Sequence, residues 1–233
     1  MTRQTIVYSA LPGRVRAQIS QSRCHDFENS ELFWCGRRHR FRKFDDAKMA
    51  RMSTSLVSYA DLQRVPDDGR QYELYDGEVR LVPSPTNRHQ VVLKNLVALL
   101  MAYEREHGGR MLFAPSDVVF TQFNVVQPDV LYFVEARRHL VRFERPTDAA
   151  PDLVVEVVSP GTSAHDRSRK LATYARFGVH ECWILDPLDE TIEILVLDGA
   201  DYRLARIAGN GGAAASPTVA GLTVDPSRVF DIS

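Results

Sequence analysis

Two acidic residues stand where a folding chain seldom puts them. Glu156 interrupts the apolar run from Leu153 to Val158, which reads as a buried strand, and Asp129 follows Pro128 at the head of a second apolar run, Val130 to Val134. A buried carboxylate is costly unless a cation or hydrogen-bond donors meet it. Two carboxylates on neighbouring strands can converge on one point, which is what a hard divalent cation requires. Magnesium takes oxygen ligands and keeps several of its waters, so two carboxylates plus a backbone carbonyl suffice. Downstream, Asp166, Lys170 and Tyr174 are four residues apart and share one face of a helix expected over 163–177, with Thr162 or Ser163 as cap and Gly178 as stop. Alone, Asp166 and Lys170 would be an i,i+4 surface pair worth about 0.3–0.5 kcal/mol. Beside Glu156 and Asp129, Lys170 reads as a group that orients a water and offsets charge on a transferring phosphoryl group.

The elements that must hold these residues follow from periodicity. Ser58 caps a short helix over 59–64, stopped by Pro66 and the Asp67-Asp68-Gly69 turn. Alternating runs over 72–75 and 78–82 flank Asp76-Gly77, a hairpin signal, and 83–87 is a loop. Val91, Val92, Leu96, Leu99 and Leu100 lie at helical spacing up to Gly108-Gly109, and His89 sits in that helix's first turn. Its ordinary pKa suits proton transfer or a substrate contact. Strands are expected over 111–121 and 125–134, then a basic connection holding Arg137, Arg138, Arg142 and Arg145, whose side chains are candidates, with Arg167 and Arg169, for phosphate contacts. Further strands follow over 181–185, 191–197 and 202–207, a Gly/Ala loop over 209–215, and a last short strand over 222–224. The order is mixed α/β without an internal repeat.

Composition narrows the class. A chain of 233 residues buries one good core, and no run of 18 apolar residues exists to cross a membrane. Gln4, Arg14, Arg16 and Gln18 break up any signal-peptide core. Cys24, Cys35 and Cys182 are odd in number and lack framework spacing, so a cytoplasmic protein is expected rather than a disulfide-stapled secreted one. Residues 1–51 hold 11 basic and 5 acidic residues against 18 and 25 in residues 52–233. The body is therefore mildly acidic, and nucleic acid would have to be held by local patches. The basic cluster over 37–43 could serve as a nucleic-acid-binding arm, and Cys24, His25, Cys35 and His39 match no familiar zinc spacing. Residues 1–51 read as a disordered or non-native basic leader, ahead of one domain over 52–233.

The ordered motifs resemble the PD-(D/E)XK nuclease superfamily, and within it the Uma-type family of proposed restriction endonucleases, also called domain of unknown function 820. The resemblance rests on the 72–78 run, the 83–89 loop and helix start, Gln127-Pro128-Asp129-Val130 and the 151–160 run. It continues through Asp166, Arg169-Lys170, Tyr174, Gly178-Val179 and the 183–187 run, and covers about residues 55–230. It implies a restriction-endonuclease-like α/β fold: a mixed central sheet flanked by helices, with an antiparallel opening hairpin. It further implies a magnesium-dependent endonuclease, with manganese as substitute, that hydrolyses phosphodiester bonds in DNA through a metal-activated water. Asp129 and Glu156 would be metal ligands, Glu73 a further acid completing the site, and His89 an accessory group. Val158 stands where the superfamily carries a strand lysine, so the role passes to Lys170. For Glu73 the competing reading is a solvent-facing strand residue. A double-strand break needs two active sites, hence a homodimer is expected for that outcome. The alternatives are a catalytically silent nucleic-acid-binding or assembly module, and a phosphohydrolase acting on small nucleotides.

Overall fold

Prolines decide how the strands are shared between sheets. The computed structural model describes residues 3–11, 14–22, 56–66, 68–159 and 164–233, as backbone alone for 3–22, 164 and 165. It divides into two units, Met1–Phe44 and Asp45–Ser233. In the first, strands β1 (Arg3–Leu11) and β2 (Arg14–Ser22) pair antiparallel with Leu11 opposite Arg14. No sustained period of two suggested strands there. The basic cluster over 37–43 and the Cys24, His25, Cys35 and His39 set lie outside the described residues.

The second unit opens with α1 (Tyr59–Leu62), where Ser58 and Asp61 form a capping box. The hairpin of β3 (Gln71–Tyr75) and β4 (Glu78–Val82) turns at Asp76 and Gly77, whose φ angles of 49° and 81° are the left-handed pair that a two-residue turn demands. Helix α2 (Asn87–His107) starts at Thr86, whose side chain accepts from the His89 amide, and it buries Val92, Leu93, Leu96 and Leu100.

The chain then crosses between two sheets three times. Where single strands were expected over 111–121 and 125–134, the structure has four: β5 (Arg110–Phe113), β6 (Val118–Thr121), β7 (Asn124–Val126) and β8 (Val130–Phe133). Pro115 and Pro128 occupy two of the breaks, since a residue without an N–H cannot continue a ladder. A four-stranded antiparallel sheet runs β4-β3-β7-β6. The larger sheet adds β9 (Leu153–Val157), β10 (Glu181–Asp186), β11 (Thr191–Asp198) and β12 (Asp201–Ala208) in the order β12-β11-β10-β9-β8-β5. Only β9 and β10 are parallel there, joined by the crossover helix α3 (Ala164–Arg176). A two-stranded ladder of β13 (Ala214–Ala215) and β14 (Thr223–Val224) stands partly where the 209–215 loop was expected, and α4 (Pro226–Val229) closes the chain. The mixed sheet flanked by helices is the fold class that the motifs implied.

Alternation along β9 sorts the two sides of this sheet. Leu153, Val155 and Val157 join α2 and Trp183 in one core cluster, while Val154 packs with Cys182, Ile184 and Tyr174 of α3 in the other. Glu156 points to the side of α3. At the opposite end of the sheet Asp152 accepts from the Val134 amide and from Arg137, which ties β8 to β9.

Glu181 is wholly buried at the start of β10. One oxygen accepts from Trp183 Nε1 at 2.5 Å, and the other from Ser216 Oγ, the Thr218 amide and the Thr218 hydroxyl. This carboxylate pins the segment between β13 and β14, and its loss strands several buried donors. Glu181→Ala is expected to lower the unfolding free energy by about 2–4 kcal/mol in urea titrations. An unchanged midpoint would show that the segment is held by other contacts.

Candidate active site

The ends of β8 and β9 bring the two acids together because their register demands it. Val130 pairs with Val155, so one step further Asp129 comes opposite Glu156. Asp129 Oδ2 accepts from the Val157 amide at 2.7 Å and lies 3.2 Å from His89 Nε2. The His89 ring is buried, held by the first turn of α2, and so orients Asp129 from the helix side. Among the described residues no hydrogen bond reaches Asp129 Oδ1, which leaves that oxygen for another partner.

Glu73 arrives from the other sheet. It is 4% exposed, which removes the reading of a solvent-facing strand residue. Oε1 accepts from the Gln127 amide at 2.8 Å, and Oε2 accepts from the Tyr75 hydroxyl at 2.8 Å. Lys170 joins the sheets. Its Nζ lies 3.2 Å from Glu73 Oε1, and 3.0 and 2.9 Å from the two oxygens of Glu156. Tyr174, one turn further along α3, donates to Glu156 Oε1 at 2.5 Å. Asp129, Glu156, Glu73, Lys170 and His89 thus all line one cavity, as does the exposed Asp166.

Burial sets the charge balance. It pushes Glu156 up to about 7, with Lys170 opposing and the nearby Asp129 and Glu73 carboxylates adding to the rise. Burial alone would lower Lys170, but Glu156 and Glu73 hold its ammonium well above the usual lysine range. Lys170 therefore stays charged at neutral pH, and its bidentate grip favours the ionised form of Glu156. Burial likewise pushes the Tyr174 and Tyr75 hydroxyls up, so both act as donors.

The donor set suits a hard cation. Among the described residues no group of three or more His, Cys, Asp or Glu side chains is close enough to hold an ion. Asp129 and Glu156 nevertheless present carboxylate oxygens at facing positions, and magnesium, which keeps several waters, asks for little more. The residues present fit such an ion if Lys170 yields one Glu156 oxygen.

The profile of the Uma2 family, described as "Putative restriction endonuclease", matches residues 59–227. The chain belongs to this family. Among solved structures, the Uma2 chain is similar to one described as a putative nuclease of the DUF820 group from Anabaena variabilis, with 16% identity and a TM-score of 0.62. The match covers 75% of this chain and 97% of that one. No curated protein matches.

Within the Uma2 domain, not every basic residue named from the sequence reaches the site. Arg167 and Arg169 line the cavity, the first paired with Glu193 and the second lying 5.6 Å from the Tyr75 ring centre. Arg137, Arg138, Arg142 and Arg145 follow β8 at the far end of the sheet, engaged with Asp152, Glu135 and Asp148. Tyr75 and the Gln127 amide are contributors that sequence reasoning missed. The i,i+2 spacing of Glu73 and Tyr75, which puts both on one strand face, was the available signal for the first.

Removing Lys170 would leave two buried carboxylates facing each other without a cation. Lys170→Met is expected to lower stability by about 3–5 kcal/mol at pH 8. The sign of the pH dependence follows. Burial and the neighbouring carboxylates raise Glu156 and Lys170 opposes the rise, so without the lysine Glu156 binds its proton still more tightly when folded than when unfolded, and the deficit shrinks as pH falls toward 5. Urea unfolding at both pH values checks this; an equal deficit at each would show that the carboxylates are not the cause.

Proposed function

We propose that this chain is a magnesium-dependent endonuclease that hydrolyses phosphodiester bonds in DNA. The observation that carries the reading is the facing pair Asp129 and Glu156 at adjacent strand ends, with Lys170 reaching the same point from a helix. Membership of a family described as restriction endonucleases supports nucleic acid as the substrate class. The odd cysteines and the lack, among the described residues, of a helix able to cross a membrane are consistent with a cytoplasmic enzyme.

Asp129 and Glu156 would hold the ion, with Glu73 supporting them through Lys170. Magnesium so held supplies positive charge against phosphoryl oxygens and acidity to water. The protein's own groups do the remaining work. His89 and the Val157 amide fix one oxygen of Asp129 so that the other is aimed outward. Tyr174 fixes Glu156, and the Gln127 amide with Tyr75 fixes Glu73. Lys170 keeps its proton and places a positive charge beside the phosphorus, where it orients a water and offsets charge that develops in transfer. Its helix origin allows this despite Val158 at the strand position. The described residues of one chain carry one such centre, so cutting both strands of a duplex would take two copies.

Asp129→Ala and Glu156→Ala are each expected to reduce magnesium-dependent cleavage by about 100-fold or more while circular dichroism stays unchanged. Plasmid, single-stranded DNA and RNA, each with and without Mg²⁺, are the substrates to compare. Full activity in either variant would refute the assignment. Wild-type binding without metal-dependent cleavage would favour the silent module.

A further inference from the structure

The carboxylates and Lys170 occupy only one end of a cavity of about 920 Å³. The remaining wall is unlike a phosphate track. Val82, Pro83 and Pro85 come from the end of β4 and the loop after it, Leu93 and Val97 from α2, and Phe113 from the edge strand β5. Phe113 is 52% exposed, although it could have been polar at no cost to the core. Apolar surface left facing water forfeits about 25 cal/mol per Å², and a contiguous patch of it in a groove marks a ligand surface. Arg80, Lys94, Arg167 and Arg169 line the same cavity, Arg80 paired with Glu78, Arg167 with Glu193 and Arg169 with Asp166.

We propose that this apolar slot takes the base of an unpaired nucleotide whose phosphate lies at the Asp129–Glu156–Lys170 centre. Three features select that occupant. The four basic side chains lining the cavity complement a polyanionic backbone. The apolar wall with its one aromatic ring complements a base face, which stacks without regard to sequence. The volume is that of a small-ligand pocket, roughly 300–1,000 Å³, and so admits a nucleotide or two but not a double helix. In a paired duplex the base is stacked inside and cannot enter; an unpaired or extruded base can, most easily where pairing is already lost. The substrate class is accordingly single-stranded or locally unpaired nucleic acid, and the apolar slot determines that preference. This rests on the nuclease reading for the position of the phosphate.

The test is fluorescence anisotropy of the full chain in EDTA with three labelled oligonucleotides of one sequence: single-stranded, duplex with one unpaired position, and fully paired duplex. The first two are expected to bind roughly 10-fold tighter than the third. Val82→Ser and Phe113→Ala, both outside the ion centre, should each bring the three within about threefold while duplex affinity and Mn²⁺ binding stay as in wild type. Equal affinities in the wild type, no binding to any, or a preference that both variants retain would overturn the slot. Cleavage of the same three substrates with Mg²⁺ separates the two readings. Cleavage with equal affinities keeps the nuclease and removes the slot; a variant-sensitive preference without cleavage keeps the slot and removes the nuclease.

Discussion

One ammonium group holds the two halves of this domain in register. Lys170 lies within 3.2 Å of Glu73 on the four-stranded sheet and of both oxygens of Glu156 on the six-stranded one. Burial pushes Glu156 up to about 7, and Lys170 is the charge that opposes the rise. Buried ion pairs of this kind seldom stabilise a fold better than packed apolar residues would. The arrangement makes sense as a site whose charges are held in place at some cost to stability, which is how functional residues commonly differ from the core around them.

The surrounding structure serves that constraint. Proline breaks let the chain leave one sheet and enter the other, so that Gln127 offers its amide to Glu73 while Asp129, two residues on, faces Glu156. The parallel step from β9 to β10 forces a crossover, and α3, which makes it, lays Lys170 and Tyr174 one turn apart over Glu156. Helix α2 packs on the other side of the sheet, yet its capped first turn brings His89 round to Asp129. Topology, rather than sequence proximity, assembles the centre.

Much of this was legible in residue types. A glutamate inside an apolar strand and a Pro-Asp strand start are local anomalies, and the four-residue spacing of Asp166, Lys170 and Tyr174 puts them on one helical face whatever the tertiary fold. Other parts were illegible for physical reasons. Glu73 was named through the family resemblance alone, because it sits in an alternating strand, and alternation does not say which side is buried once a second sheet covers it. Within the run over 111–121 both flanks of the Pro115-Ser116-Asp117 break are apolar without alternation, so periodicity could not show that β5 and β6 belong to different sheets; only that break hinted at it. Tyr75, on the same strand face, was missed because nothing in the alternation marks that face as buried. The hairpin of β1 and β2 was missed because the consecutive Ile6-Val7-Tyr8 breaks the period of two in β1, and the alternation of Val15, Ala17 and Ile19 in β2 is short. The apolar slot is assembled from β4, α2 and β5, segments distant in sequence, and no motif spans them.

A crystal soaked in Mn²⁺ would test the central claim most directly, through the anomalous scattering of that ion at the Lys170 site. The account predicts a peak in contact with Asp129 Oδ1 and a Glu156 oxygen, with Lys170 drawn off that oxygen but still against Glu73. A fully soaked crystal with no peak there, and with Lys170 still gripping both oxygens of Glu156, would contradict it.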